Sequence, residues 1–307
     1  MSRADAIRGS AAALAAALAL AGCGLGAGSK STHVSLLVTQ GFGAQTLVSK
    51  PAPKIVGADT VMRMLERNAN VSTRFGGGFV ESIDGHSGAG SADWYYYVNG
   101  VQAGRGAADT KLHSGDHVWW DRHDWSATES IPAVVGSFPE PFAHGHNGKR
   151  WPLMIECTKP RSQPCKGVEN EFSGLGFVAS LCALLCSQYN QSLPVLVGPY
   201  ATLTPAPAAL KLAGPASASG VYARFEDGGR RLALLDQSGR VVRTVGAGAG
   251  LVAATRYRGQ PPTWFVTGTD EAGVAAAVQA FNTQTLQEHF AVAVVDDAAI
   301  PLPYAGR

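Results

Sequence analysis

Apolar and other side chains alternate in the stretch that follows residue 32, where Val34, Leu36 and Val38 are separated by single residues. This period of two predicts a half-buried strand, because successive side chains of a strand point to opposite faces. A turn at Gly41–Gly43 and a return arm at Ala44–Val48 then predict a hairpin.

The next apolar residues follow a helical spacing. Val61, Met64 and Leu65 lie on one face of a helix that Asp59 or Thr60 can cap. The order strand, strand, helix and three strands predicts one helix packed on a mixed sheet. Asn99-Gly100 is a strong type I′ hairpin signal between two of these strands. The three later strands are predicted at Phe79–Ile83, Trp94–Val98 and His117–His123.

From residue 149 onward, strand-like and helix-like segments are mixed, which predicts an α/β domain built on a mixed sheet. The predicted helices are Val168–Ser187, Pro207–Leu212 and Glu271–Phe281. The predicted strands are Trp151–Cys157, Leu193–Val197, Val221–Phe225, Arg231–Leu235, Val241–Val245, Leu251–Arg256, Thr263–Thr267 and Phe290–Val295. The whole chain is therefore predicted to be of the α+β class.

Residues 126–148 separate these two regions. They contain three prolines, several glycines and little periodicity, and we interpret them as a linker. The predicted organisation is a leader (1–22), a flexible Gly/Ser-rich tether (23–31), a first domain (32–125), the linker and a second domain (149–307).

The leader begins with Arg3 and Arg8, continues with an Ala/Leu-rich stretch and ends in Leu20-Ala21-Gly22-Cys23. A charged start, an apolar core and small residues are the features of a secretory signal. The run that ends in Cys23 resembles a bacterial lipoprotein lipobox. The resemblance implies diacylglycerol on the Cys23 sulfur, cleavage before Cys23, and a lipid anchor on the extracytoplasmic face of the bacterial cell membrane. An ordinary signal peptide with an incidental cysteine is the alternative.

Four cysteines remain after Cys23, namely Cys157, Cys165, Cys182 and Cys186. An even number outside the cytoplasm predicts disulfides. Cys182 and Cys186 are four residues apart in the predicted helix, where a bridge between them would be strained, so we favour pairing of these two with Cys157 and Cys165. A four-thiolate metal site is the alternative, although the spacings do not match common zinc sites.

Composition narrows the function classes. The 307 residues are 46% hydrophobic and 16% charged, with a net charge of +2 and no long basic run. Nucleic-acid binders usually carry a basic stripe, so no nucleic-acid partner is expected. The apolar stretch of the leader is too short for a comfortable membrane span, and no second segment is apolar enough to span a bilayer. The short segment Phe177–Leu185 is interpreted as a buried helix.

Three motifs in residues 33–125 carry a family resemblance: the helix at Thr60–Leu65, Trp94-Tyr-Tyr-Tyr-Val-Asn-Gly100, and Gly115-Asp-His-Val-Trp-Trp120. With the strand Phe79–Ile83 between them, this order resembles the transcobalamin C-terminal-type domain. The resemblance implies a β-grasp fold and binding of a small ligand, cobalamin in the vitamin carriers. Residues 149–307 resemble no family that we can name.

The aromatic hairpin is the first candidate for a ligand-binding face, because aromatic side chains give large contact area with a polar tip. The alternative is that these residues only pack within the sheet. The predicted ligand-binding residues are Trp94, Tyr95, Tyr96, Tyr97, Asn99, Trp119 and Trp120.

Other candidate sites are weaker. His117, Asp121 and His123 share one strand face, with His113 nearby, but residues two apart on a flat strand lie far apart for one ion, so no metal site is predicted. Thr267-Gly-Thr-Asp270 precedes a helix and could hold an anion, although Asp270 is better placed as a helix cap. No nucleophilic catalytic motif and no cofactor motif is recognised.

We therefore expect a lipid-anchored, non-enzymatic surface protein that captures a small vitamin-like molecule for a membrane importer. A ligand in the groove between the two domains fits this expectation as well as one against the hairpin. The alternatives are an envelope lipoprotein that binds protein or glycan through the aromatic hairpin, and a secreted metal-dependent hydrolase.

Overall fold

The computed structural model describes residues 31–187, 191–257 and 259–306. Residues 31–125 form an N-terminal module and residues 149–306 a C-terminal module, with a junction segment, 126–148, between them. The predicted α+β class is confirmed, since each module contains a sheet with at least one helix packed against it.

The N-terminal module contains one five-stranded sheet, in the order β2-β1-β8-β6-β7, and a small sheet, β3-β4-β5. Strands β1 and β8 are parallel, and the other pairs are antiparallel. Its elements are β1 (Ser35–Gln40), β2 (Gln45–Lys50), α1 (Val61–Asn68), β3 (Val71–Arg74), β4 (Phe79–Ile83), β5 (His86–Ser87), β6 (Ala92–Val98), β7 (Val101–Gln102) and β8 (His117–Asp124).

Helix α1 covers one face of the five-stranded sheet. Thr60 caps it, its side chain accepting a hydrogen bond from the Arg63 backbone N–H, and Val61, Met64 and Leu65 are fully buried as their spacing predicts. Alternating residues of β1, β6 and β8 form this core beneath the helix. The intervening residues point to the opposite face of the sheet. Because these residues include large aromatic side chains, that face must be buried against another part of the protein.

The C-terminal module is built on a seven-stranded sheet, in the order β10-β9-β11-β16-β15-β17-β18, and a three-stranded meander, β12-β13-β14. The first four strands of the large sheet are parallel and the last three are antiparallel additions. The strands are β9 (Leu153–Cys157), β10 (Ser180–Ala183), β11 (Leu193–Pro199), β12 (Ala223–Glu226), β13 (Arg231–Leu235), β14 (Val241–Val245), β15 (Gly250–Thr255), β16 (Thr263–Gly268), β17 (Ala291–Val295) and β18 (Ala298–Leu302). The helices are α2 (Gln163–Gly174), α3 (Tyr200–Leu203), α4 (Pro207–Leu210), α5 (Ala216–Ser219), α6 (Glu271–Ala280) and α7 (Thr283–Leu286).

Helices α2 and α6 cover one face of the large sheet, where Val168, Phe172 and Val274 pack against buried strand residues. The other face meets the meander and the free face of the N-terminal sheet in one shared core. Leu37 and Trp119 from the N-terminal module belong to this core. The second face of each large sheet is thus buried against the other module.

The junction segment, predicted to be a linker, is largely buried between the modules. Ile131 and Val134 belong to the shared core, while Phe138 and Phe142 pack beneath the helices of the large sheet. The modules also approach closely at Gly43, whose φ is +83° and where an added Cβ would lie 1.8 Å from the Glu288 carbonyl oxygen. The segment therefore packs as part of both cores rather than as an exposed connection.

The predicted helix Val168–Ser187 is wrong in its second half. Helix α2 ends at Gly174, and β10 follows as an edge strand that pairs in parallel with β9. Gly174 and Gly176 interrupt the apolar pattern, and the short run Phe177–Leu185 is used as loop and strand instead of as a buried helix. No helix in the described ranges is long and apolar enough to cross a bilayer.

The four remaining cysteines form disulfides, as predicted, but the cross-pairing is wrong. The bonds join Cys157 to Cys165 and Cys182 to Cys186. In the β9–β10 pair, Cys182 lies opposite Glu156 while Cys157 lies opposite Ala183. Because adjacent residues of a strand point to opposite faces, the thiols of Cys157 and Cys182 lie on different sides of the sheet and cannot meet.

Candidate functional site

The aromatic hairpin predicted as a ligand-binding face lies inside the protein. Trp94, Tyr96 and Trp120 pack under α1 and are only 6%, 8% and 2% exposed. Tyr97 and Trp119 point to the opposite face and are fully buried in the core shared by the two modules. The prediction of an open aromatic face is therefore wrong for these five side chains, because other elements cover both faces of the sheet.

Asn99, also predicted as a ligand contact, holds the hairpin turn. Asn99 and Gly100 have φ values of +54° and +72°, which a type I′ turn requires. The Asn99 side-chain amide donates to Asp116 Oδ1 at 3.1 Å and to the Gly145 carbonyl at 2.7 Å, and its Oδ1 accepts from the His117 N–H at 2.7 Å. Its polar atoms are thus used within the protein.

Asp121 and His123 form a buried polar pair where the modules meet. His123 Nδ1 lies 2.8 Å from Asp121 Oδ1. The His123 ring stacks between Tyr95 and Phe42, at centroid distances of 4.6 and 4.8 Å. Tyr95, the last of the predicted ligand residues, therefore packs on a histidine inside the junction.

The Asp121 carboxylate is fully hydrogen-bonded. It accepts from Thr39 Oγ1 at 2.5 Å and from the backbone N–H groups of Phe42 at 3.0 Å and Gly43 at 2.9 Å. Trp119 Nε1 donates to the same threonine hydroxyl at 2.7 Å. This network fixes the β1–β2 turn against β8 and against the neighbouring module.

Two tyrosine hydroxyls close to this network, those of Tyr97 and Tyr222, have no hydrogen-bond partner among the residues that the structure describes. Burial raises the pKa of both phenols, and the negative charge of Asp121 raises that of Tyr97 further. Both hydroxyls therefore remain protonated at neutral pH.

The histidines of β8 share a strand face without converging on one point. His117 Nδ1 lies 2.8 Å from Ser35 Oγ, whereas His123 is paired with Asp121. Burial lowers the pKa of His117 to about 4. Within the described ranges, no group of three or more His, Cys, Asp or Glu side chains is placed to hold a metal ion.

An open cleft lies beside the β6–β7 hairpin, between the two modules. Two adjoining cavities of ≈ 460 and ≈ 370 Å³ share Ala103, Gly104 and Arg256 in their walls. The N-terminal module, the junction segment and the C-terminal module all contribute to this cleft. The other residues of the larger cavity are Gln102, Glu129, Ser130, Pro132, Lys211 and 217–220, and those of the smaller cavity are Val98, Arg105, Thr110, His146, Asn147 and Gly259.

Tyr96 supports one wall of this cleft from behind. Its carbonyl accepts a hydrogen bond from the Ala103 N–H at 3.1 Å. Its hydroxyl donates to the Arg105 carbonyl at 2.7 Å and lies 2.8 Å from Thr110 Oγ1. The aromatic hairpin thus positions the cleft through its backbone and a buried hydroxyl, without placing its rings in it.

Two cations from the C-terminal module line the larger cavity. Arg256 follows β15, and its Nε donates to the Gln260 carbonyl at 2.6 Å. Lys211 Nζ donates to the Arg256 carbonyl at 3.1 Å and lies 4.1 Å from the centre of the Tyr257 ring. Burial lowers the pKa of both side chains from their ordinary values.

His146 closes the smaller cavity. It is 8% exposed, and its Nδ1 lies 3.1 Å from the Val98 carbonyl oxygen. Burial lowers the pKa of His146 to about 4, and the positive charge of Arg256 acts in the same direction. The imidazole is therefore neutral at neutral pH.

The sequence analysis missed the cleft residues. Arg256 ends an apolar strand and Gly104 follows a hairpin, but no sequence signal links positions so far apart in the chain. Cys23, the predicted lipidation site, lies outside the described residues. Asp270 is a helix cap, accepting from the backbone N–H groups of Gly273 and Gly248, so the alternative of an anion held before α6 is not supported.

One family matches part of the chain. Residues 58–124 match the model of a family described as a domain of unknown function, DUF4430. The match runs from just before α1 to the end of β8, so it includes the aromatic hairpin and one wall of the cleft. No curated protein matches the chain.

Among solved structures, part of the chain is similar to one described as "a putative metal binding protein from Ruminococcus gnavus". The identity is 16% and the TM-score 0.26, and the likeness covers 31% of this chain and 98% of that chain. At this level of similarity, the likeness assigns no ligand to this chain.

Proposed function

We propose that this protein is a lipid-anchored, extracytoplasmic binding protein that holds a small molecule in the cleft between its two modules and presents it to a membrane importer. The observation that carries the proposal is the pair of adjoining cavities lined by both modules. The proposed role is binding rather than catalysis.

The size and position of the cleft support this role. Each cavity lies within the range of about 300–1,000 Å³ that is typical of small-molecule sites, and such sites often lie between domains. The modules share one core, which includes Leu37 and Trp119. A cleft between parts that are already packed together loses little conformational entropy when a ligand binds.

The N-terminal attachment supports the proposed location. Ser31 Oγ donates to the Leu112 carbonyl at 2.9 Å, and the Thr32 N–H donates to Ser114 Oγ at 3.0 Å, so the chain enters the fold at this point. The eight or so residues from Cys23 to Ser31 span at most roughly 28 Å. Lipid on Cys23 would therefore keep the point where the chain enters the fold within this distance of the membrane, as presentation to a membrane importer requires.

A cleft-filling substitution tests the proposal. Gly104 lines both cavities, and a Cβ added there meets no atom within 4 Å, so Gly104→Trp should place its ring in open space. Gly174→Trp, at the exposed end of α2, is the matched control because its added Cβ also meets nothing. The purified wild-type protein and both variants are mixed with a defined set of vitamins and metabolites that includes cobalamin, and bound compounds are identified by mass spectrometry.

We expect the wild-type protein and Gly174→Trp to retain the same compound and Gly104→Trp to lose it. Cobalamin is included because residues 33–125 resemble the transcobalamin C-terminal-type domain. If no compound binds, or if Gly104→Trp binds as well as the wild-type protein, the cleft is not a ligand site.

A second candidate is an envelope interaction protein, favoured by an exposed aromatic pair at the β3–β4 turn. Phe75 is 88% exposed and Phe79 38%, with ring centroids 6.5 Å apart in an edge-to-face arrangement. Paired exposed aromatics are a common feature of contact surfaces. The test is binding of the protein to purified cell-wall glycan. If Phe75→Ser loses this binding and Gly104→Trp keeps it, the interaction role is favoured over small-molecule binding in the cleft.

A further inference from the structure

Arg256 is the charged residue that lines both cavities of the cleft. Lys211 lines the larger cavity beside it. No carboxylate among the described residues lies within 4.0 Å of the charged nitrogens of either side chain. Two cations of the same cavity wall thus have no anionic partner in the described part of the chain.

Hydrogen bonds hold the Arg256 and Lys211 side chains in place but leave donors of these side chains free to bind a ligand. Arg256 uses Nε for the Gln260 carbonyl, at 2.6 Å, and its two terminal nitrogens have no partner in the part of the chain that the structure describes. Lys211 Nζ donates to the Arg256 carbonyl and lies over the Tyr257 ring, whose hydroxyl donates to the Pro207 carbonyl at 3.1 Å. These contacts fix both side chains in the wall of the larger cavity before any ligand binds.

Such an arrangement is unfavourable in an empty cleft. Burial removes part of the hydration of both charges, and it lowers the pKa of both Arg256 and Lys211. A partly desolvated cation gains most from a charge-assisted hydrogen bond to an oxyanion. The guanidinium group in particular presents a planar pair of donors that matches a carboxylate or a phosphate.

The acidic residue of the same cavity does not supply this anion. Glu129 is exposed, and neither Arg256 nor Lys211 is within ion-pair distance of it. Arg105 lines the smaller cavity and adds a third cation to the cleft. The charged groups of the walls are therefore three cations and one exposed carboxylate among the described residues.

We propose that the ligand of this cleft is a small oxyanion, a carboxylate or a phosphate, whose charged group binds the Arg256 guanidinium in the cavity that Lys211 also lines. This inference rests on the proposed binding function and adds the chemical class of the ligand. The body of the ligand extends toward Ala103 and Gly104, where the wall is backbone and small apolar side chains.

Matched pairs of probes test the charge requirement. The purified full-length protein, kept in detergent, is titrated with inorganic phosphate, with succinate and its uncharged diamide, and with benzoate and benzamide, by calorimetry and by thermal shift. We expect phosphate or one of the carboxylates to bind and its amide counterpart to bind at least about tenfold more weakly, because charge-assisted hydrogen bonds are about twice as strong as neutral ones. Added salt should weaken binding of the anion, because salt screens the attraction between opposite charges.

Substitutions then locate the site. Arg256→Gln and Lys211→Gln should each lower the affinity for the anion about tenfold or more. Arg256→Lys should keep more affinity than Arg256→Gln but less than the wild-type protein, because the planar pair of donors is lost. Arg230→Gln and Lys54→Gln remove the same charges from exposed positions outside the cleft and should leave the affinity unchanged. Unaltered circular dichroism shows that a variant is folded.

Each outcome decides between the two proposals. If the amides bind as tightly as the acids and Gly104→Trp abolishes that binding, the oxyanion class is wrong and the cleft remains a small-molecule site. If an anion binds equally well to Arg256→Gln and Lys211→Gln, the assignment to this pair is wrong. If neither acids nor amides bind, and the metabolite set also gives no retained compound, both proposals fail.

Discussion

His123 Nδ1 lies 2.8 Å from Asp121 Oδ1, and the two side chains are 3% and 0% exposed at the boundary between the modules. Polar pairs in such surroundings are stable only when their hydrogen bonds are complete. Here the carboxylate also accepts from Thr39, Phe42 and Gly43. This pair therefore joins the β1–β2 turn, strand β8 and the C-terminal module.

Replacing this carboxylate should destabilise the whole chain. Asp121→Asn keeps the shape but substitutes a donor for one acceptor oxygen, leaving at least one of the buried donors unpaired. We expect the free energy of unfolding to fall by about 2–4 kcal/mol. Urea denaturation monitored by tryptophan fluorescence measures the change.

Asp297→Asn is the control for that experiment, because Asp297 is exposed and its φ of +59° suits asparagine. It should leave the free energy of unfolding within about 0.5 kcal/mol of the wild-type value. Equal effects of the two substitutions would contradict a stabilising role for the Asp121 network.

The two disulfides should differ in their contribution to stability. The Cys157–Cys165 bond joins β9 to α2 within the core and closes a separation of eight residues, whereas Cys182–Cys186 closes four at a partly exposed edge strand. Loop-closure entropy and the cavity left in the core predict a loss of about 2–4 kcal/mol for the double Cys157→Ala, Cys165→Ala variant. The double Cys182→Ala, Cys186→Ala variant should lose about 2 kcal/mol or less.

Peptide mapping under non-reducing conditions checks the pairing directly. Digestion of the wild-type protein should give one linked pair that contains Cys157 with Cys165 and another that contains Cys182 with Cys186. A linked peptide that joins Cys157 or Cys165 to Cys182 or Cys186 would show that the structure has the wrong connectivity.

Stability should fall as the pH drops from about 6.5 to about 4. Folding lowers the pKa of His146 from 6.5 to about 4, so the neutral form is favoured in the folded state. The corresponding stabilisation is fully present above pH 6.5 and is lost as the pH falls toward the folded pKa, by roughly 3 kcal/mol at 1.36 kcal/mol per pKa unit. Because the pKa of His117 is also lowered to about 4, the His146 contribution is the difference between the unfolding free energies of the wild-type protein and of a His146 variant, measured at several pH values.

The His146→Asn variant should show a shallower decline over the same interval, since its amide can still donate to the Val98 carbonyl but takes up no proton. His33→Asn removes an exposed histidine and should keep the wild-type slope. If the free energy of unfolding changes equally with pH in all three proteins, then folding does not lower the pKa of His146, and this prediction is wrong.

Lipid attachment is predicted to depend on Cys23 alone. Cells that express the full-length protein should incorporate a labelled fatty acid into the wild-type protein and into a Cys182→Ala, Cys186→Ala variant, but not into Cys23→Ala. The wild-type protein should fractionate with membranes. Labelling of Cys23→Ala at the wild-type level would refute the lipobox interpretation.

Local signals in the sequence were accurate. The Asn99-Gly100 turn, the Thr60 cap and the strand Phe79–Ile83 lie where their patterns predicted them. Each of these depends on residues only a few positions apart, such as a side chain that bonds the backbone of its own first turn. The prediction failed at Val168–Ser187, where an apolar run was compatible with both helix and strand until its neighbours were known.

The candidate site could not be predicted in the same way. The aromatic alternation of β6 and β8 correctly separates two faces, but it does not show that α1 covers one and the C-terminal module the other. The cleft joins Gly104 to Arg256, and the disulfide pairing depends on which sheet face each thiol occupies. These relationships arise from contacts between distant parts of the chain.

By itself, the sequence determined the α+β class, the order of most elements, and the caps and turns that bound them, because each of these follows from short-range hydrogen bonding and from periodicity. Only the tertiary structure decided that the aromatic hairpin is buried, that the junction segment packs into both cores, and that Arg256 and Lys211 face an open cleft. Burial is a property of the surfaces that meet, and in this protein the second face of each large sheet is buried against the other module.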